Sequence, residues 1–125
     1  HPNRRKYQRP ALDFVQTLLN ADIERIALEN PVGVISTKIK KPTQIIQPYD
    51  FGHSTSKKTC LWLKGLPELK ATNIVDPEWV YLPNNTRMSK FHHETFSLPK
   101  DERSKIRSKT FSGIAKAMAN QWGKF

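Results

Sequence analysis

One carboxylate of the chain stands where it could act as an acid. Glu29 ends a short apolar run, residues 25–29 ("RIALE"), and is followed directly by Asn30 and Pro31. In α/β proteins, functional sites lie at the carboxyl ends of strands. Partial burial at such a strand end would raise the pKa of the carboxyl group, so that it could donate a proton near neutral pH. The alternative is a strand-end acid paired with a lysine, and position alone leaves both interpretations open.

A second group of polar residues lies in "FGHSTSKKTC", residues 51–60. Gly52 permits a turn. The residues behind it offer hydroxyl groups and cations, which are the groups that contact phosphate. A solvated surface loop has the same composition, so a phosphate contact and an ordinary loop both stay open.

The charge of the chain bears on the class of partner. Among 125 residues there are 21 Lys and Arg against 11 Asp and Glu, a formal net charge of +10. Such a surplus favours polyanions, because cations that neutralise phosphates release counterions. We therefore predict a nucleic-acid partner, with a basic surface that has no partner as the alternative. The lysines predicted to contact nucleic acid are Lys38, Lys40, Lys41, Lys57 and Lys58.

The single cysteine and the tryptophans offer less specific chemistry. Cys60 has no second cysteine to pair with, which is compatible with a reducing cytoplasm. Because it stands in an apolar run beside Trp62, a buried core thiol is favoured over a nucleophile. The histidines and this cysteine lack the spacing of a metal site, so no bound metal is predicted. Trp79 lies outside any periodic apolar pattern and is the tryptophan most open to stacking on a base.

A small number of elements must position these residues. Apolar residues at helical spacing predict an amphipathic helix over residues 10–20. A second helix is predicted from an N-cap at Thr110 or Ser112 to a stop at Gly123. A helix followed closely by a buried strand is typical of α/β folds. Short strands are predicted over residues 25–29, 43–49 and 59–65.

The predicted organisation is a basic arm over residues 1–9 and a single α/β domain over residues 10–125. Residues 66–99 are rich in Pro, Asn and Thr. They are predicted to form an extended excursion from the domain, with a short strand at 79–82. No apolar run approaches the length of a membrane span. The first residue is His, which suggests either a removed leader or a piece of a longer protein.

Three segments, in this order, carry a resemblance to a known family. They are "ENP" at residues 29–31, "QPYDFGHSTSKKTCLWLKGLP" at 47–67 and "RSKTFSGIAKAMANQWG" at 107–123. Their succession resembles the latter half of DNA cytosine-5 methyltransferases. More closely, residues 11–123 resemble small phage-type proteins described as cytosine methyltransferase-like.

This resemblance implies a truncated Rossmann-like methyltransferase fold that acts on DNA, with few strands flanked by two main helices. In the family, a methyl group passes from S-adenosylmethionine to cytosine. Glu29 matches the family's glutamate, which engages the flipped cytosine, and Asn30 matches the asparagine that braces the catalytic loop. Lys57 stands where the family has an arginine. Ser112 and Gly113 match the family's small-residue cofactor turn.

The family's Gly-rich cofactor turn and its Pro-Cys nucleophile both precede the glutamate. The residues before Glu29 contain neither Gly nor Cys. The resemblance therefore implies the C-terminal half of a catalytic domain, which by itself neither binds S-adenosylmethionine nor transfers a methyl group. Two alternatives stay open: a non-enzymatic basic module that binds nucleic acid, and an interaction protein that pairs with a separate N-terminal half or with a second copy. The expected location is cytoplasmic, in a bacterial host if the protein is phage-encoded.

Overall fold

The computed structural model describes the backbone of residues 2–31 and 38–125, and the side chains of residues 10–30 and 38–125. The described chain is mixed α/β, as predicted. None of its helices is both long enough and apolar enough to cross a bilayer. The elements are α1 (Pro2–Leu19), β1 (Ile26–Pro31), β2 (Gln44–Ile46), a 3-10 helix (Pro48–Asp50), β3 (Thr59–Lys64), β4 (Trp79–Tyr81), β5 (Arg87–Ser89), α2 (Lys90–Phe96), α3 (Lys100–Ser108) and α4 (Ser112–Trp122).

The chain divides into two compact units. Unit 1 comprises His1–Ile45 and Thr59–Glu68, and unit 2 comprises Ile46–Lys58 and Leu69–Phe125. The predicted division into a basic arm and one domain is a different partition, and it stays a prediction.

Unit 1 is built on an antiparallel strand pair. β1 pairs with β3 in a register that runs from Ile26 opposite Lys64 to Pro31 opposite Thr59. The sheet has the order β1-β3-β2, so the strands that are consecutive in sequence, β1 and β2, are not neighbours. A Rossmann-like sheet consists mainly of parallel strands. The finer prediction of a truncated Rossmann-like fold therefore stays a prediction.

The core of unit 1 forms around two residues of β3. Cys60 and Trp62 are each 1% exposed. Because successive side chains of a strand point to opposite faces, these two share one face of the sheet. The helical spacing of the apolar residues in α1 turns one stripe of that helix toward them. The residues packed against the pair are Leu12, Val15, Leu19, Leu28 and Ile39.

The elements of unit 1 differ from the predictions mainly at their ends. α1 begins at Pro2 and runs through Pro10, where the sequence predicted the helix to start. The backbone of most of the predicted basic arm is therefore helical, while its side chains lie outside the described part. β1 continues past Glu29 to Pro31, which is paired with Thr59.

Unit 2 contains a short hairpin, a 3-10 helix and three α-helices within its described residues. β4 pairs antiparallel with β5. The turn between them places Asn85 at a φ of 63°, a left-handed conformation that Asn tolerates better than most residues. Ser89 then caps α2 by accepting a hydrogen bond from the His92 amide. Within the predicted excursion over residues 66–99, the regular elements are β4, β5 and α2, and the excursion itself stays a prediction.

The predicted C-terminal helix is present as α4, and its apolar face is buried. Ile114 and Ala117 are each 2% exposed. Of the predicted strand over 43–49, only Gln44–Ile46 is a strand. Pro48 opens the 3-10 helix that follows, since its fixed φ suits the first turn and ends the extended run.

Candidate nucleic-acid interface

The residues predicted to carry function are shared between the two units. Unit 1 holds the predicted catalytic pair and three of the predicted nucleic-acid-binding lysines: Glu29, Asn30, Lys38, Lys40 and Lys41. Unit 2 holds the other two lysines and the predicted cofactor turn: Lys57, Lys58, Ser112 and Gly113.

Glu29 lies inside the strand ladder of β1. It stands opposite Leu61 of β3, which is fully buried. Strand alternation puts Glu29 on the face opposite Leu28, whose side chain packs on the Trp62 cluster. The carboxylate is half-buried, and the neighbouring Asn30 is exposed. The strand therefore holds Glu29 in place by pairing, as a rigid site would require. The predicted catalytic roles of both residues stay predictions.

The lysines of unit 1 are carried on an anchored backbone. Lys38, Lys40 and Lys41 are exposed. Between them, Ile39 packs on the core, and the Trp62 indole N–H donates to the carbonyl of Lys40 over 2.9 Å. The backbone is thus tied to β3 while the charged side chains face solvent. Such an arrangement suits contacts to phosphates, which need charge near a backbone but no deep pocket.

The predicted cofactor turn is packed against the 51–53 turn and leaves no space for a cofactor at Gly113. Ser112 is exposed at the start of α4. The amide of Gly113 donates to Nε2 of His53 over 2.9 Å. A Cβ added at Gly113 would collide with the carbonyl oxygen of Phe51 and with His53. The glycine therefore serves close packing of α4 against the 51–53 turn, and its amide is already bonded.

The loop that the sequence singled out for phosphate contacts is ordered by polar contacts. Gly52 has a φ of 91°, so it makes the turn that its type predicted. The amide of Lys57 donates to Oε1 of Gln47 over 2.8 Å. Its ammonium group donates to the carbonyl of Arg107. Lys58 is exposed.

Lys57 contributes to a cavity of about 310 Å³ within unit 2. Its walls combine aromatic rings, a thioether, hydroxyl groups and cations. No Asp or Glu lines it among the residues that the structure describes. The lining residues are Ser56, Lys57, Trp79, Met88, Ser89, Phe91, His92 and Arg107. We call this space the cation–aromatic cavity.

The wall formed by β4 and β5 is tied to its surroundings at several points. Trp79 is the register partner of Ser89, and both line the cavity. The amide of Glu78 donates to the carbonyl of Ser54 over 2.9 Å, and the amide of Lys90 donates to the carbonyl of Glu78 over 3.1 Å. The Lys90 ammonium also lies 3.0 Å from the Glu78 carboxylate, and this hydrogen-bonded pair raises the pKa of Lys90. The wall is therefore held in place before any ligand arrives.

Arg107 is held by two acceptors, one of which is buried. Its Nε donates to Oγ1 of Thr95 over 2.9 Å, and one terminal nitrogen donates to the carbonyl of His92 over 3.1 Å. Thr95 is 5% exposed. Partial burial lowers the pKa of His92, and the guanidinium groups of Arg107 and Arg103 lower it further. At neutral pH the cavity thus contains two cations and a neutral imidazole, a combination that suits an anionic ligand.

Sequence reasoning found part of this cavity. It singled out Lys57 and Trp79, each for a nucleic-acid contact. It missed Met88, Phe91 and Arg107, which come from separate elements. No local signal joins them, because the cavity brings together residues from 56 to 107.

The described side chains were also compared with the requirements of a metal site. Over the described ranges, no group of three or more His, Cys, Asp or Glu side chains comes together in a way that could bind a metal ion.

Comparison of the chain with profiles of protein families, with curated proteins and with solved structures gave no match.

Proposed function

We propose that this chain binds DNA and that it is the C-terminal part of a cytosine-5 methyltransferase-like protein. The observation that carries the DNA-binding part is the cation–aromatic cavity, where Lys57 and Arg107 stand beside Trp79 with no acid in the described lining. The net charge of +10 supplies the long-range attraction for a polyanion.

The methyltransferase part of the proposal is supported by the order of motifs in the sequence. Glu29 and Asn30 follow the family's pattern, and Lys57 takes the place of an arginine. In a protein that carries the whole catalytic domain, a truncated Rossmann-like fold would be completed by the missing strands. Glu29 would then hydrogen-bond to the flipped cytosine.

We assign no cofactor step to this chain. S-adenosylmethionine would need open backbone amides at a small-residue turn, whereas the Gly113 amide is bonded to His53 and the space at its Cα is closed by Phe51. The residues of this segment therefore do not fit the cofactor. Micromolar binding of S-adenosylmethionine to this chain in calorimetry would contradict the proposal.

The DNA-binding part is tested by the dependence of affinity on salt. If six phosphates are neutralised, a plot of log affinity against log salt should have a slope of roughly −5. Lys57→Ala should make that slope shallower by about one. Lys116→Ala is the matched control, because it removes the same charge from an exposed position of α4 that does not line the cavity. The readout is fluorescence anisotropy of a labelled DNA duplex at several salt concentrations.

An affinity that does not change between low and high salt would overturn the proposal. If Lys57→Ala had the same slope as the unmodified chain and Lys116→Ala had a shallower one, the claim that DNA phosphates contact the cavity would be wrong.

A second candidate function is a non-enzymatic basic module that binds nucleic acid. The bonded amide of Gly113 favours it, since this residue of the predicted cofactor turn has a packing role. The two candidates differ in one measurement. A longer protein with an upstream Pro-Cys and Gly-rich turn should methylate DNA under the first, whereas the module should bind DNA without methylating it.

A further inference from the structure

The cation–aromatic cavity has a size that limits its ligand. Pockets for small ligands typically measure about 300 to 1,000 Å³. At about 310 Å³, this cavity is at the lower end of that range. A single nucleotide suits such a volume better than a dinucleotide or a large cofactor.

One wall of the cavity is aromatic and fixed. Trp79 lies on β4, and the guanidinium carbon of Arg87 sits 3.9 Å from the centroid of its ring. Arg87 does not line the cavity, although Trp79 does. Phe91 adds a second ring, itself packed edge-on against Phe111. Aromatic rings of this kind bind bases by stacking, whatever the sequence.

The opposite character, cationic and hydrogen-bonding, comes from Lys57 and Arg107. Within the part of the chain that the structure describes, Arg107 uses two of its five N–H groups, for Thr95 and for the carbonyl of His92. These bonds orient the guanidinium while N–H groups remain for an anion. The Lys57 ammonium is oriented by the carbonyl of Arg107. Both cations therefore line the same cavity, and an incoming phosphate would meet them without first displacing an acid of the described lining.

We propose that the cation–aromatic cavity binds one unpaired nucleotide of a nucleic-acid strand, with its base against Trp79 and its phosphate at Lys57 and Arg107. A base in a duplex is stacked on both faces, so only an unpaired one can offer its face to the ring. This inference rests on the proposed DNA binding and adds to it a preference for single-stranded nucleotides.

The test compares three probes on the full chain: a short single-stranded oligothymidylate, a duplex of the same length, and thymidine 5′-monophosphate. The single strand should bind more tightly than the duplex, and also more tightly than the free mononucleotide because neighbouring phosphates add contacts. Trp79→Leu should weaken single-strand binding by roughly 5- to 150-fold, the scale of one lost stacking contact. Trp79→Phe should retain most of the affinity.

Tyr81→Leu is the matched control. Tyr81 is on the same strand, is 72% exposed, and does not line the cavity. Its removal should leave single-strand affinity unchanged. A second readout avoids variants altogether: the indole N–H resonance of Trp79 should shift when the oligothymidylate is added, and that of the buried Trp62 should not.

Single-strand affinity equal in Trp79→Leu and the unmodified chain, or an unmoved Trp79 resonance at saturation, would overturn the inference. If duplex DNA still bound with steep salt dependence in that case, the proposed function would survive the failure. If the mononucleotide bound as tightly as the oligonucleotide, the claim that the ligand is a nucleotide within a strand would be wrong. Absence of binding to every probe would overturn both proposals.

Discussion

Two tryptophans show how the two units use the same residue type differently. In unit 1, Trp62 is 1% exposed, packs under α1 and donates its indole N–H to the Lys40 carbonyl. In unit 2, Trp79 is half-buried on a three-residue strand and lines a cavity. A strand covered by a helix turns its large ring into core, whereas a short hairpin leaves part of the ring open for a ligand.

The lysines differ in the same way. Lys40 of unit 1 has a fixed backbone and an exposed side chain. Lys57 of unit 2 is half-buried, and both its amide and its ammonium group are bonded to other residues. The first arrangement suits phosphate contacts that tolerate many geometries, and the second suits contact with one oriented anion. Under the proposed function, the exposed lysines would supply attraction and Lys57 would supply positioning.

The largest expected effect tests whether Trp62 is the core of unit 1. Trp62→Ala should lower the free energy of unfolding by about 3–5 kcal/mol. It leaves a cavity in the core and removes the hydrogen bond that the indole N–H donates to the Lys40 carbonyl. The measurement is urea unfolding followed by circular dichroism. Trp79→Leu should cost clearly less, since its ring is only half-buried. Equal losses for the two variants would remove the contrast between the units.

The next effect concerns Glu29 in a form of the protein that methylates DNA. Glu29→Gln should slow methyl transfer by roughly 100-fold, the scale of acid–base assistance. DNA affinity should stay the same, because Glu29 adds no cationic contact. The control is Glu24→Gln, a carboxylate 85% exposed just before β1, which should methylate normally. A Glu29→Gln protein with the parental rate would leave Glu29 as a strand residue without a catalytic role.

A third prediction sharpens the assignment of Gly113 to packing. Gly113→Ala should destabilise unit 2 by about 1–3 kcal/mol, because the added methyl group must displace the Phe51 carbonyl or His53. Ser112→Ala, at an exposed neighbouring position, should be close to neutral. Thermal unfolding of both variants gives the comparison. If Gly113→Ala left the stability unchanged, the assignment of Gly113 to packing would be wrong.

The smallest effect is the titration of His92. Burial and the two guanidinium groups lower its pKa, so the folded protein should take up this proton only below pH 6.5. The unfolded chain takes it up at higher pH, so the contribution of His92 to stability is complete above the unfolded pKa. It is lost as the pH falls through the folded pKa. NMR titration of the imidazole measures the value, and Arg103→Gln should raise it. A His92 that titrates at or above its ordinary value would contradict the cationic surroundings of the cavity.

Local pattern was sufficient for the elements that are strongly apolar. The strand predicted over residues 59–65 is present as Thr59–Lys64, and the predicted C-terminal helix is present as Ser112–Trp122. The same reasoning placed Cys60 in the core, which is confirmed. These residues lie in dense apolar runs, where the local pattern predicts both the burial of the side chains and the backbone conformation.

The helices α2 and α3 were not predicted, because they contain few apolar residues at helical spacing. None of the residues of α3 is buried. A signal was nevertheless present: Pro99 precedes the helix, Asp101 and Glu102 lie in its first turn, and Arg107 lies in its last. This order of charges complements the helix dipole, so charge pattern rather than apolar pattern predicts such a helix.

By itself, the sequence determined the mixed α/β class, the buried strand β3, the helix α4, the charge and the motif order that suggests a methyltransferase-like half-domain. Only the tertiary structure decided that β3 pairs with β1, that Glu29 stands opposite Leu61, and that Lys57, Trp79 and Arg107 line one cavity. The reason is the range of the interactions. Helical spacing, strand alternation and caps involve residues a few positions apart, whereas a strand register or a cavity joins residues tens of positions apart and depends on how all the intervening elements pack.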